Sequence, residues 1–313
     1  MRRIRILSII IFILSAAVFC FFKISDKKSE DTNGPVIHMT ENSIEVSTTA
    51  GKEELLAGVT ATDEKDGDVS GSIVIERMTN FTEKGKRTMI IAACDSDHNV
   101  TKETREIIYS DYQSPTFELE APLNFSVNAT SFTDGLTASD RLDGDLTHNI
   151  KMSVSDNKMY TAGDYQVLFS VSNSAGDVTS LPVTVTLYDS SGFGYAPEIV
   201  LTDYLIYVKK GASISPWSYI DEVNYRGTVY VPEKNSEGKK VLAEKLKEET
   251  ENNQAAVYGI STADTRKYIT DIDITNPVDT NTPGTYEILY KVTAGEGYEN
   301  ETGTMRLIVV VEE

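Results

Sequence analysis

Hydrophobic and polar positions alternate along most of this chain. In GDYQVLFSV, Tyr165, Val167, Phe169 and Val171 alternate with Gln166, Leu168 and Ser170; in GTYEILYKV, Tyr286, Ile288, Tyr290 and Val292 do the same. A period of two turns one face of a segment toward a core, so these are predicted strands and their aromatic rings are predicted core residues, not binding platforms. A second alternating segment follows each region: Ile107 and Tyr109; Val183, Val185 and Leu187; Leu307, Val309 and Val311. Short strands separated by turn residues, with little helical periodicity, predict antiparallel β-sandwiches. Two stretches break the pattern. Ile6 to Phe22 carries no charge over seventeen residues, and Val241, Leu242 and Leu246 lie among acids and lysines in a spacing that predicts a short amphipathic helix.

The alternating pattern is also repeated. Three segments open alike, GPVIHM at Gly34, SPTFEL at Ser114 and APEIVL at Ala196, with their prolines 80 and 82 residues apart. VTATDEKDGDVSGSIVI overlays LTASDRLDGDLTHNIKM at an offset of 77, and FTEKGKRTMIIAACDSDHNVT overlays MYTAGDYQVLFSVSNSAGDVT at 78. The third segment rejoins at NTPGTYEILYKVTAGEGY, with Gly85, Gly163 and Gly284 at one position. Repeats of about 80 residues are each large enough for one small core. The third repeat departs from the others: SYIDEVNYRG stands near the place of the DGD turn, and an insertion runs from about residue 232 to 267.

These motifs resemble the bacterial immunoglobulin-like repeats that occur in tandem on Gram-positive surface proteins. The resemblance rests on Ala61-Thr62-Asp63 through Asp68, Ala138-Ser139-Asp140 through Asp145, Gly163-Asp164-Tyr165, and Asn173-Ser174-Ala175-Gly176-Asp177, in that order and spacing. It covers the first two repeats well and the third only in its last part. It implies an all-β fold of three tandem immunoglobulin-like sandwiches and a location outside the cytoplasm; the apolar run at Ile6 to Phe22 places a helix before them. Members serve as stalks, adhesion modules and accessory domains, so the fold does not fix the role. The expected boundaries are a cytoplasmic stub and membrane segment at 1–24, a polar tether at 25–34, and domains at 35–111, 112–190 and 191–313, the last carrying the insertion.

Charge sharpens the placement. The net charge is −19; Arg2, Arg3, Arg5, Lys23, Lys27 and Lys28 with one acid, Asp26, occupy the first 28 residues, which leaves −24 for the rest. Such a surface repels nucleic acid and anionic lipid and attracts cations. Arginines before an apolar run stay on the cytoplasmic side, so a single-pass anchor at residues 6–22 would leave the bulk of the chain extracellular. A cleaved signal peptide is the competing reading: Ser15 and Ala17 form a small-x-small pair, but Val18 to Phe22 continue the apolar run past it. Cys20 and Cys94 lie in different kinds of segment and are not expected to pair.

Three sets of residues are candidates for chemistry. Asp63, Asp66 and Asp68, and likewise Asp140, Asp143 and Asp145, surround a glycine, and Asp111 lies in the linker between the first two repeats. Two readings of these acids stand. Asp side chains bond nearby N–H groups and tighten turns, with Gly67 and Gly144 allowing positive φ. Alternatively, the carboxylates supply hard oxygen ligands to Ca2+ and stiffen a rod. In such a sandwich the second-to-third and sixth-to-seventh strand loops share one end, so Asp140, Asp143, Asp145, Asn173 and Asp177 should cluster where the linker brings Asp111, and Asp63, Asp66, Asp68, Asp95, Asp97 and Asn99 should cluster likewise in the first repeat. The second set is Trp217, with Tyr219 and Tyr225 near it: these rings would stack on a sugar, or Trp217 would instead pack into the core of the third repeat. The third comprises His38, His98 and His148, which form no catalytic constellation; no phosphate loop accompanies them, and no enzyme is expected. The expected function is a non-catalytic surface protein acting in adhesion, spacing or scaffolding. Its expected partner is an extracellular protein or a cell-wall or capsule polysaccharide.

Overall fold

The computed structural model describes residues 2–29, 32–154, 159–189, 196–235, 238–245, 269–295 and 297–313. Strand dominates, and the chain divides into two compact units. One is Met1–Gln113 with Ser174–Asp177; the other is Ser114–Asn173 with Val178–Glu313.

The first unit begins with helix α1 (Arg2–Ser29), on which Ile9, Phe12, Phe19 and Phe21 are exposed. Among the described residues no helix is long and apolar enough to cross a membrane. The side chains of Ile6, Leu7 and Phe22, the ends of the apolar run, lie outside those described. Strands β1 (Val36–Met39), β2 (Ser43–Val46), β3 (Val59–Asp63), β4 (Gly67–Asp68), β5 (Val74–Glu83), β6 (Lys86–Cys94) and β7 (Val100–Tyr109) follow, with a one-turn helix α2 (Lys52–Leu55) between β2 and β3. They form two sheets, β1-β3-β4 and β2-β7-β6-β5. Ile37 and Ala61 from one sheet and Met89, Ile91 and Ile107 from the other are buried.

The second unit repeats this plan twice. Strands β8 (Thr116–Leu119), β9 (Asn124–Ser126), β10 (Leu136–Asp140), β11 (Gly144–Asp145), β12 (Lys151–Val154), β13 (Gly163–Ser172) and β14 (Val178–Tyr188) form sheets β11-β10-β8 and β12-β13-β14-β9. Strands β15 (Glu198–Leu201), β16 (Leu205–Lys209), β17 (Ile220–Tyr225), β18 (Thr228–Lys234), β19 (Lys240–Glu244), β20 (Ile269–Thr275), β21 (Gly284–Ala294) and β22 (Thr302–Glu312) form sheets β15-β17-β18-β19 and β16-β22-β21-β20. Each time the second strand runs parallel to the last: β2 with β7, β9 with β14 and β16 with β22. The leading segment therefore crosses from one sheet to the other, and the two sheets enclose one core. Phe117, Leu136, Val167, Phe169 and Val185 fill the core between β8 and β14, and Ile199, Val223, Leu242, Ile288, Tyr290 and Leu307 fill the one between β15 and β22. Val167, Phe169 and Val171 are buried as the alternation predicts, and so are Ile288, Tyr290 and Val292.

The insertion differs from its expectation. The predicted helix is a strand: Val241, Leu242 and Ala243 in β19 are all buried, and β19 pairs antiparallel with β18 from Tyr230↔Glu244 to Lys234↔Lys240. A run of three apolar residues is too short to separate strand from helix by periodicity, and here the ladder to β18 decides it. Leu246, the third member of the predicted helix face, lies outside the described residues. SYIDEVNYRG, which lacks the DGD sequence, forms no DGD-like turn, as expected. It is the body of β17 and a two-residue hairpin into β18, with Arg226 at φ 49° and Gly227 at φ 78°, both left-handed as a type I′ turn requires.

Candidate functional site

The two DGD segments fold in the same register. Thr62 pairs with Asp68 and Asp63 with Gly67; Ser139 pairs with Asp145 and Asp140 with Gly144. Gly67 and Gly144 sit at φ +75° and +76°, where an L side chain is strained. Asp63 Oδ1 accepts from the N–H groups of Lys65 (2.9 Å) and Asp66 (3.0 Å); Asp140 Oδ1 accepts from those of Leu142 (3.1 Å) and Asp143 (2.7 Å). Asp68 and Asp145 then each accept at 2.9 Å from the N–H two residues on, Ser70 and Thr147. The hydroxyls of Ser70 and Thr147 in turn accept the N–H of Ala61 and Ala138, at 3.0 and 3.2 Å. The acids therefore supply the acceptors that let each strand turn sharply without stranding a backbone donor.

These bonds favour the ionised form. The hydroxyl and N–H of Ser70 hold the Asp68 carboxyl below its ordinary range, and those of Thr147 do the same for Asp145. Of the loop residues expected at the same end, Ser96 and Asp97 meet the first turn and Asn173 meets the second, while Asp177 accepts from the Tyr112 hydroxyl at 2.7 Å. Asp66 accepts both the N–H and the hydroxyl of Ser96 at 2.8 Å, which lowers its pKa, and Lys65 Nζ lies 2.5 Å from Asp97. Asn173 Nδ2 donates to Asp140 Oδ2 at 2.9 Å. Asp111 accepts from the Thr48 N–H (2.8 Å) and the Ser47 hydroxyl (2.9 Å); its pKa is lowered first by the Thr48 bond. Among the described residues no three His, Cys, Asp or Glu side chains are grouped to hold a metal ion. Six of the seven acids proposed as ligands accept these hydrogen bonds, and Asp143 donates its backbone N–H to Asp140.

The aromatic candidates do not gather into one open platform. Trp217 and Tyr219 lie in a single 3-10 turn, Pro216–Tyr219, half-buried against the core, and the Tyr290 hydroxyl pins that turn by donating to the Pro216 carbonyl at 2.7 Å. Lys240 Nζ stands 5.8 Å from the centroid of the Trp217 ring, so the insertion and the tryptophan do meet. Tyr225 is a core residue, 2 % exposed, so its assignment as a sugar-stacking ring is corrected. The alternation of β17 turns it inward while its hydroxyl reaches Glu301 at 2.5 Å. Burial and then the Glu301 contact push the Tyr225 phenol up, and the Arg226 and Tyr225 bonds hold Glu301 down.

Two polar clusters were missed from sequence. In one, Arg226 donates to Glu301 (2.7 Å) and stacks over Tyr298 (4.5 Å); the YRG hairpin was its only local signal. In the other, Arg306 bridges Asp164 and Glu287, and Glu287 holds Thr184. Its signal was a charge and two apolar residues, Ile308 and Val310, on the strand face that should meet water.

No family profile matches the chain. It is 29 % identical over 170 residues, 51 % of its own length and 23 % of the relative's, to an uncharacterised 81.3 kDa protein of Acholeplasma phage L2. It is 28 % identical over 131 residues, 41 % and 18 % respectively, to the pesticidal crystal protein Cry22Aa of Bacillus thuringiensis. The chain spans a quarter or less of the length of these curated relatives. Similar solved structures include a carbohydrate-binding CBM51 and INT domain pair of ZmpB from Clostridium perfringens, bound to GlcNAc (17 % identity, 48 % of this chain and 41 % of that one, TM-score 0.21). Others are a lipoprotein of Bacteroides thetaiotaomicron (15 %, 62 % and 98 %, 0.22) and the protocadherin GammaB4 extracellular domain (14 %, 90 % and 49 %, 0.19). Scores this low transfer neither a ligand nor a role.

Proposed function

We propose that the chain is a non-catalytic surface protein of three tandem immunoglobulin-like sandwiches, held to a membrane through residues 6–22, that acts in adhesion, spacing or scaffolding. One observation carries this reading. The residues best suited to chemistry are spent on architecture: the DGD acids satisfy turn donors, and Tyr225 fills a core while Trp217 and Tyr219 rest against it. The exposed apolar side chains of α1, Phe12 at 73 % among them, need a non-aqueous cover, and a bilayer provides one. Fractionation of cells expressing the full chain, followed by protease treatment of intact cells, tests the placement. Membrane association that survives high salt, with the β-rich portion digested from outside, is expected; recovery of intact chain from the soluble fraction refutes it.

A polysaccharide partner is the second reading, favoured by the meeting of Trp217 with Lys240 of the insertion. A glycan array with wild type and Trp217→Ala decides it: binding lost on substitution supports this surface, and no binding by wild type rejects it.

A further inference from the structure

Ser114–Asn173 and Val178–Glu313 make one compact unit, although they contain two sheet pairs with separate apolar cores. Strand β22 joins them. Leu307, Val309 and Val311 point into the core between β15 and β22, whereas Ile308, 3 % exposed, belongs to the core between β8 and β14. The run LIVVV is thus covered on both faces, whereas a strand of an isolated sandwich has one face open to solvent.

The polar groups beside it complete the closure. Among the described residues strand β9 pairs with β14 only at Thr186–Tyr188, so at Thr184 no strand covers that edge of β14. The Thr184 N–H donates to Glu287 Oε1 of β21 at 2.5 Å, and its hydroxyl donates to Oε2 at 2.7 Å. Among the described residues strand β8 pairs only with β10, and on its other side the Phe117 N–H donates to the Tyr207 hydroxyl of β16 at 2.9 Å. Arg306 of β22 fastens the boundary, with Nη1 on the Thr186 hydroxyl (2.8 Å), Nη2 on Asp164 (2.5 Å) and Nε 3.5 Å from Glu287. Open edges invite pairing with other chains and are covered in native proteins. Here the cover for the second sheet pair is side chains of the third.

We infer that these two sheet pairs form one cooperative arm: the third closes the open edges of the second, and neither melts without the other. This goes beyond the proposed function and does not depend on it. The chain has a single tryptophan, Trp217, and it reports on the third pair alone. Phe169, 0 % exposed, lies in the core of the second pair. Phe169→Leu in the full chain is melted while Trp217 fluorescence and the hydrogen exchange of residues 165–171 are followed. A single arm lowers both midpoints together, by about 3 °C or more for a body of this size. If exchange in 165–171 rises while the Trp217 midpoint stays, or moves less than half as far, the arm is two independent modules and the inference is wrong. Should Phe169→Leu fail to fold, Val171→Ala, a smaller deletion in the same core, is read by the same criterion.

Discussion

Gly303→Ala is expected to be among the most damaging single substitutions in this chain. Gly303 lies in β22 opposite Val292, and its backbone has no need of glycine's extra freedom, since its φ lies outside the left-handed region. What it lacks is space. A Cβ there would sit 1.7 Å from the Pro197 carbonyl oxygen and 2.8 Å from its carbon, where real Cβ atoms essentially never come under 3.0 Å. Neither partner is a flexible side-chain end, so the backbone before β15 and that of β22 must part by about 1.3 Å, the shortfall of 1.7 Å from 3.0 Å. A gap of about 0.5–1 Å already forfeits a quarter to a half of a dispersion contact. Ile199 and Leu201 on β15 would therefore lose much of their grip on Met305 and Leu307, all four of them buried. Overpacking of this kind costs about 3 kcal/mol, and at about 2–4 °C per kcal/mol for a unit of this size the Trp217-reported Tm falls by about 6–12 °C. Gly71→Ala is the control, because a Cβ there meets nothing within 4 Å; it should stay within about 0.5 kcal/mol of wild type. A Gly303→Ala chain melting within about 2 °C of wild type would refute the steric argument.

Other outcomes follow from the same geometry. His98 holds φ 70° at the position taken in the next repeat by Gly176 at φ +81°; His98→Gly should raise the stability of the first unit by about 0.5–1 kcal/mol in urea denaturation, strain relief exceeding the added chain entropy. Arg105, 2 % exposed, donates through Nη1 to the carbonyls of Leu55 (3.0 Å) and Ala57 (2.8 Å) at the end of α2. Arg105→Met leaves the Leu55 carbonyl buried and unmet and the Ala57 carbonyl to solvent, costs about 2 kcal/mol, and should show as faster hydrogen exchange at Met89 and Ile91. The carboxyls of Asp66, Asp68, Asp111 and Asp145 are depressed by hydrogen bonds, so their stabilisation is full above the unfolded pKa of about 3.9 and is lost as pH falls through the folded values. Tm should accordingly drop below about pH 4, and drop less in Asp66→Asn/Asp111→Asn; equal acid limbs would exclude these groups. Because the DGD acids already hold backbone donors, Tm should be the same with calcium and with chelator; a saturating rise with calcium would refute this expectation and support the ion.

Sequence by itself determined the repeat, the strand faces and the turns, because those are local. A period of two fixes which side chains of β13 and β21 point inward, and an Asp two residues before a free N–H bonds it wherever the segment lies. The meeting of Asp140 with Asn173 was also legible, since the order of strands dictates which loops share an end. The tertiary structure alone decided what covers a face once it is formed. Val241 to Ala243 became a strand because β18 offered a ladder, and Tyr225 a core residue because β17 buries it. Nothing local could say that Ile308 fills a neighbouring core or that Glu287 holds Thr184, more than a hundred residues away in the chain. Those contacts depend on how two finished sheets pack, and packing is chosen by the shape and charge of whole faces, which no single stretch of residues contains.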